Sequence, residues 1–294
     1  MRFSVIINNY NYGRYLPDCI ASAAAQSHPP HEIIVVDDGS SDESRAILEQ
    51  LRSSHPSLRI HHQTNGGQLS ALRAGVRLAT GDWCCFLDAD DTWTPQHLAG
   101  LARVLEREAD VGAIYTGHRE TSGPSIYRIP WPAGRLGPSI ALVAAFQIRI
   151  GTLTSAINLR RDLARVAVEL DPALDSDWRI RADDCLVFGA ALEGCIAYHL
   201  PDPTVEYRIH GENAFARRDR TLARYRDRYR LSRLIAFHAA RVGVYPSELA
   251  ANLAREMRLP DNRHPYTRGR YRRAIFRLPC PWWTKLALYA KSWG

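Results

Sequence analysis

The stretch Trp83-Cys84-Cys85-Phe86-Leu87-Asp88-Ala89-Asp90-Asp91 decides how the chain folds. Five apolar residues end abruptly at three carboxylates in four positions, which reads as a buried strand that stops at a polar rim. Two earlier stretches repeat the design. Phe3-Ser4-Val5-Ile6-Ile7 runs into Asn8-Asn9-Tyr10-Asn11, and Glu32-Ile33-Ile34-Val35-Val36 runs into Asp37-Asp38-Gly39-Ser40. Leu58 to His62 reads as a further strand. Helical spacing fills the gaps: Leu16, Cys19, Ile20 and Ala23 within Tyr15–Gln26; Ile47, Leu48 and Leu51 in a helix capped by Ser41 or Asp42; and Leu72, Val76 and Ala79 within Leu69–Ala79. Strands alternating with helices predict an α/β fold, a mostly parallel central sheet with helices on both faces. Ligands of such sheets lie at the carboxyl ends of the strands, so three polar clusters on one rim predict one shared pocket.

The 294 residues suffice for one large domain with an appendage, and 46% hydrophobic with 23% charged residues excludes a chain disordered throughout. The net charge of +7 conceals an asymmetry. Residues 1–216 hold 19 Lys+Arg against 26 Asp+Glu, and residues 217–294 hold 19 against 5. An acidic body with a basic tail points to an anionic partner for the tail. The six cysteines form no CxxC pair, so a zinc site is not expected and a reduced, cytoplasmic compartment is. The apolar run after Met1 is too short for a secretory signal, and no stretch approaches the roughly 20 residues of a spanning helix.

Three carboxylates within four residues repel one another unless a cation or solvent neutralises them. Mn²⁺ or Mg²⁺ takes oxygen ligands and bridges carboxylates to phosphates, which suits Asp88, Asp90 and Asp91. The rival reading is a solvated turn with Asp91 or Thr92 capping the next helix. In Asp37-Asp38-Gly39-Ser40, Gly39 permits a tight turn and a carboxylate can accept from a base or ribose; the rival is again a helix cap. Asn65-Gly66-Gly67-Gln68 precedes a helix whose N-terminus can face anions, or is simply a glycine-rich connection.

Taken as a set, in order and spacing, these stretches resemble the inverting family 2 glycosyltransferases of the GT-A (Rossmann-like) fold. The resemblance is strong over about the first hundred residues and continues more weakly to Phe215. It implies a metal-dependent transfer of a sugar from a nucleoside-diphosphate-sugar to an acceptor hydroxyl, as in cell-surface polysaccharide or glycolipid synthesis. It further implies that Asn8 and Tyr10 line the nucleotide pocket, that Asp38 bonds the base, that Asn65 and Gly67 contact the donor, and that Asp88 faces the ribose or sugar. Asp90 would ligate the metal with Asp91 in support. The family usually carries Pro-Thr or Pro-Ala where Asn8-Asn9 stand, which leaves nucleotide preference open, a UDP-sugar being the leading candidate. The Asp183-Asp184 pair, opening the pattern Cys185-Leu186-Val187-Phe188, matches the place of the family's base; Asp184 is the first choice, Asp183 the second and Asp177 the rival. Tyr207-Arg208-Ile209-His210-Gly211-Glu212-Asn213 resembles the segment that closes over the diphosphate, with Arg208 neutralising charge there and His210 on metal or phosphate.

The resulting division is a GT-A domain over 1–216, with a nucleotide-sugar half (1–110) and an acceptor half (111–216), and a basic helical extension over 217–294. A loop over 117–138 is expected to shape the acceptor pocket, and helices are expected near 139–147, 161–169 and 183–193. In the extension, Arg217, Arg218, Arg220, Arg224, Arg226, Arg228, Arg230 and Arg233 interleave with Leu222, Tyr225, Tyr229 and Leu231. At its end, Trp282, Trp283, Leu286, Leu288, Tyr289 and Trp293 stand near Lys285 and Lys291. That mixture suits peripheral attachment to the anionic inner face of a membrane bearing a lipid-linked acceptor, or a homodimer contact, or packing on the body. No nucleic-acid-binding module accompanies the charge, so nucleic acid is not an expected partner. A nucleotidyltransferase, which would want a basic glycine-rich loop after the first strand, and a non-catalytic sugar-binding or membrane-binding relative are the alternatives.

Overall fold

The computed structural model describes residues 1–121, 126–127, 130–211, 220–278 and 280–290. In chain order the strands and helices are β1 (Phe3–Asn9), α1 (Leu16–Ala24), β2 (Glu32–Asp37), α2 (Ser44–Ser54), β3 (Leu58–His62), α3 (Gln68–Leu78), β4 (Trp83–Asp88), β5 (Thr92–Trp93), α4 (His97–Arg107) and β6 (Val111–Glu120). There follow β7 (Ile126–Tyr127), β8 (Gly134–Leu136), α5 (Ile140–Phe146), β9 (Ile157–Arg160), α6 (Arg161–Val168), α7 (Pro172–Asp175), α8 (Asp183–Leu192) and β10 (Ile196–Tyr207). The extension contributes α9 (Arg220–Arg241), α10 (Leu249–Met257), α11 (Pro265–Arg277) and α12 (Trp282–Ala290).

One sheet runs β3-β2-β1-β4-β9-β6-β10-β5, with β7 beside β6 and β8 beside β10. β3, β2, β1 and β4 are parallel, as are β6 and β10, while β9 runs antiparallel between β4 and β6. The apolar runs divide between two cores by the strand's period of two. Ile6, Ile34, Val36, Cys84 and Phe86 face one core with α3, α6 and α8. Val5, Ile7, Ile33, Val35, Cys85 and Leu87 face the other with α1 and α4. Burial on both faces explains why these strands carry unbroken apolar runs.

The expected loop over 117–138 is only partly irregular, because β6 carries on to Glu120 and Gly134–Leu136 pairs with β10. The extension packs on the α3–α8 face: Leu234, Leu253, Met257, Tyr271, Ile275 and Leu278 belong to that core. Glu256 of α10 accepts the Ala141 and Leu142 backbone N–H groups at 2.6 and 3.1 Å, satisfying donors that open α5. Arg217, Arg218, Lys291 and Trp293, and the side chains of Arg220, Leu222 and Arg224, lie outside the described residues.

Candidate active site

Register brings the rim clusters together. Asn8 stands beside both Val36 and Asp88, and Asn9 beside Asp37. Beyond these strand ends lies a cleft of about 830 Å³. Asn8, Tyr10, Asp38, Asn65, Gly67, Asp88, Asp90 and Asp183 all line it. Asp91, Asp184, Arg208 and His210 do not reach its wall.

Asp38 organises the second cluster. Its Oδ1 accepts the Gly66 N–H at 2.8 Å and its Oδ2 the Gly67 N–H at 2.7 Å, while Gln63 Nε2 donates to Oδ1 at 2.7 Å. One carboxylate therefore folds the 65–67 turn against β2. Gly67 has φ +88°, and a Cβ there would lie 2.6 Å from Arg179 Cα, so only glycine fits this crossing between the 65–67 turn and the segment before α8. The contact is sealed by the Gln68 N–H donating to Arg179 O at 2.8 Å and by Arg179 donating to Asn65 Oδ1. Gln68 Oε1 accepts the Ala182 N–H at 2.9 Å, and its Nε2 lies 3.3 Å from Asp88 Oδ1.

The carboxylates after β4 have different surroundings. Burial, the Asp90 charge and the more distant Asp183 push Asp88 up to about 7, against hydrogen bonds from Asn8 and Thr154. Burial also raises Asp90, although His210 donates to it: His210 Nε2 stands 3.0 Å from Asp90 Oδ2. The His210 ring is held by Tyr15 and Tyr12, with centroids at 4.9 and 5.5 Å. Asp91 is only 1% exposed, and both its oxygens are engaged. Oδ1 accepts the Arg208 backbone N–H at 2.9 Å and Oδ2 the Ser155 hydroxyl at 2.5 Å. It caps no helix, because the next residues form β5. The Arg208 guanidinium lies over the Tyr15 ring and 3.3 Å from Asp18. Glu212 and Asn213, the last two residues of the segment expected to close over the diphosphate, lie outside the described residues.

Across the cleft, Asp183 and Asp184 open α8 as predicted. Arg149 donates to both, to Asp183 at 2.6 Å, and Arg181 Nη2 donates to Asp184 Oδ2 at 2.8 Å. Burial and the neighbouring Asp183 charge raise Asp184 to about 6, against the pull of the two arginines. Arg181 holds φ +65° and places Nη1 2.5 Å from Asp227 of α9. Asp177 is bound by Arg233 of α9 and does not line the cleft.

Arg149, Arg179, Arg181 and Thr154 line the cleft without having been singled out in the sequence, and Gln68, read there only as part of the turn before α3, lines it too. Three arginines facing the acidic rim make a cavity suited to a phosphate-bearing ligand that brings a cation. As ligands for such an ion, carboxylates and an imidazole suit Mn²⁺ or Mg²⁺. Among the described residues no three His, Cys, Asp or Glu side chains are arranged to hold an ion by themselves.

The model of glycosyl transferase family 2 matches residues 4–166. The chain belongs to that family. An uncharacterized glycosyltransferase of Nostoc sp. (alr2836) is 37% identical over 220 residues, which are 72% of this chain and 66% of that protein. Glycosyltransferase GlyG of Streptococcus pneumoniae is 36% identical over 110 residues, 37% of this chain and 36% of that one. The chain thus spans just under two thirds of the first relative and about a third of the second. Among solved structures, S. aureus TarS in complex with UDP-GlcNAc superposes with a TM-score of 0.64 at 18% identity, over 99% of this chain and 88% of that one. A Pyrobaculum calidifontis mannosyltransferase in complex with GDP-Man and Mn²⁺ superposes with a TM-score of 0.54 at 19% identity, over 99% and 73%. These likenesses establish the GT-A fold.

Proposed function

We propose that the chain is a metal-dependent inverting glycosyltransferase that moves a sugar from a nucleoside-diphosphate-sugar, a UDP-sugar first, to a hydroxyl of a glycan or lipid-linked acceptor. The observation that carries this is the convergence of Asn8, Tyr10, Asp38, Asp88 and Asp90 on one cleft whose far wall holds Arg149, Arg181 and Asp183. Tyr10 and Asn8 flank the base. Asp38 shapes the turn of Asn65 and Gly67 against which the nucleoside lies, and Asp88 accepts from ribose or sugar hydroxyls. Asp90 and His210 would hold Mn²⁺ or Mg²⁺, which supplies positive charge against the leaving diphosphate when bound. Asp91, expected to support the metal, would serve as a brace, since Ser155 and the Arg208 N–H hold its two oxygens, and Arg208, expected to neutralise diphosphate charge, would act from its place on Tyr15 and Asp18.

The base comes from the Asp183-Asp184 pair. The acceptor oxygen attacks the sugar C1 as the bond from C1 to the phosphate oxygen breaks. The hydroxyl proton passes to the carboxylate, and the nucleoside diphosphate departs with the bonding pair. A single displacement inverts C1. Asp184 stands at the position the family resemblance indicates, with its carboxyl raised to about 6, and Asp183 is the member of the pair that lines the cleft. Peripheral attachment to an anionic membrane face would bring a lipid-linked acceptor to the cleft.

A thermal-shift panel of nucleoside diphosphates and nucleotide-sugars with and without Mn²⁺ or Mg²⁺ tests the reading. Ligands of the native state raise the melting temperature. A metal-dependent rise with one nucleotide family is expected, followed by release of that diphosphate from its sugar. A panel in which no nucleotide shifts the transition in either metal would sink the proposal.

A further inference from the structure

Helix α12 turns its apolar residues outward. At about 100° per residue, Trp282, Leu286, Ala290, Trp283 and Ala287 fall within one arc of about 140°, and every one of them is exposed. Trp282 is 66% exposed, Trp283 61% and Leu286 50%, whereas Leu288, outside that arc, is buried. A helix that served only to cover its own protein would show the reverse pattern. The ridge continues onto α11. Phe276 is 52% exposed, its ring lies 5.2 Å from Tyr289 of α12, and its carbonyl accepts from Lys285 Nζ at 3.0 Å. Arg273 and Arg277 are exposed beside it, at helical spacings of three and one.

We propose that this α11–α12 ridge is a docking surface for an anionic phospholipid leaflet. Aromatic and aliphatic side chains rimmed by cations match the boundary between headgroups and acyl chains. The charge is complementary, since Arg273, Arg277 and Lys285 stand beside the ridge. A second copy of the chain fits less well. It would bring the same positive charge against itself, and the exposed face of a helix about 14 Å long is far below the roughly 800 Å² per partner of a stable dimer. The surface is peripheral, because among the described residues no helix is long and apolar enough to cross a membrane. The inference extends the lipid-linked acceptor of the proposed function, but vesicle binding is read without any transfer reaction, so the two ideas fail separately.

The experiment is flotation of the full chain with vesicles of phosphatidylcholine alone or with roughly one third phosphatidylglycerol, at low and high salt. The chain should float with the anionic vesicles and much less with the neutral ones. The triple variant Trp282→Ser, Trp283→Ser, Leu286→Ser should lose at least about tenfold in bound fraction while its thermal midpoint stays that of the parent, because the changed residues are exposed. The variant Arg273→Glu, Arg277→Glu should lose the preference for anionic vesicles. Absence of flotation by the parent chain, or equal flotation of the parent and a folded triple variant, overturns the proposal. So does a dimer in light scattering that the triple variant dissolves while no form binds vesicles.

Discussion

Asp91 Oδ1 accepts the backbone N–H of Arg208 at 2.9 Å, joining residues 117 positions apart. With Ser155 on its other oxygen, Asp91 ties the acidic turn to the end of β10 and to the segment before β9. Asp90, its neighbour, faces the cleft and His210. Adjacent carboxylates thus face opposite ways, one bracing the fold and the other lining the cleft. Replacing Asp91 with Ala leaves a buried hydroxyl and a buried N–H without their acceptor and should cost about 2–4 kcal/mol. Replacing Asp90 with Ala should leave the melting temperature near that of the parent and remove the Mn²⁺-dependent stabilisation by nucleotide. Melts of both variants with and without Mn²⁺ and UDP check this; an Asp90 variant that keeps the metal-dependent shift contradicts the assignment.

Asp183 and Asp184 can be separated in the same way. Asp184→Asn should abolish transfer while nucleotide binding persists. Asp183→Asn, which removes a cleft-lining carboxylate paired with Arg149, should reduce turnover by roughly 10–100-fold, less than the roughly 10²–10⁴-fold typical of a general acid–base group. Single-turnover rates beside nucleotide affinities make the comparison. Near-normal turnover of Asp184→Asn would transfer the base to Asp183.

The segment after β1, β2 and β4 was legible because its signals are local. Apolar runs such as Val5-Ile6-Ile7 and Ile33-Ile34-Val35-Val36 announce strands buried on two sides, and polar residues in sequence mark where each ends. β3 ends where its pattern does, and α1, α3, α5, α6 and α8 stop within about two residues of their periodicity. Residues 111–216 were less legible because their order depends on distant pairings. β9 has four residues and gains its meaning from lying between β4 and β6. β10 bears Pro201 and Pro203 and shifts register against β6, which spoils any alternation. Nor does a motif announce Arg149 or Arg181. Arg181 becomes a cleft residue because the chain before α8 crosses the Gly67 turn, a contact spanning more than a hundred residues, and Arg149, between α5 and β9, is held at the cleft by Asp183 and Asp184.

That crossing gives α9 a part in the site. Asp227 holds Arg181 at 2.5 Å, and Arg181 in turn donates to Asp184. Arg149 and Asp183 complete the charges around Asp184, and Asp227 is among those that raise its pKa. Removing the Asp227 charge leaves the Arg181 charge uncompensated beside Asp184. The carboxyl should then titrate lower and accept a proton less readily. Asp227→Asn is therefore expected to lower kcat by roughly tenfold and to move the acidic limb of the pH–rate profile to lower pH, with the donor KM unchanged. An unmoved profile would reduce Asp227 to a structural tether between α9 and the body.

Glu32 offers a test of acid stability away from the cleft. Burial alone would raise its carboxyl, but hydrogen bonds from the Thr80 backbone and hydroxyl, Ser4 and Arg59 prevail and lower it from 4.5 to about 2. The Ser4 hydroxyl and the Thr80 N–H each donate to Oε1 at 2.7 Å, fastening β2 to β1 and to the turn before β4. A folded-state pKa below the unfolded one means that the unfolded chain binds the extra proton. The stabilisation is therefore fully present above about pH 4.5 and is lost as pH falls towards 2. Allowing for screening at the half-exposed Arg59, its size is about 2 kcal/mol. Glu32→Gln should be less stable than the parent by about that amount at pH 7, and the gap should close through pH 4 to 2, as followed by urea denaturation at a series of pH values. A gap that stays constant with pH would assign the loss to packing and hydrogen-bond geometry, with no part for the charge.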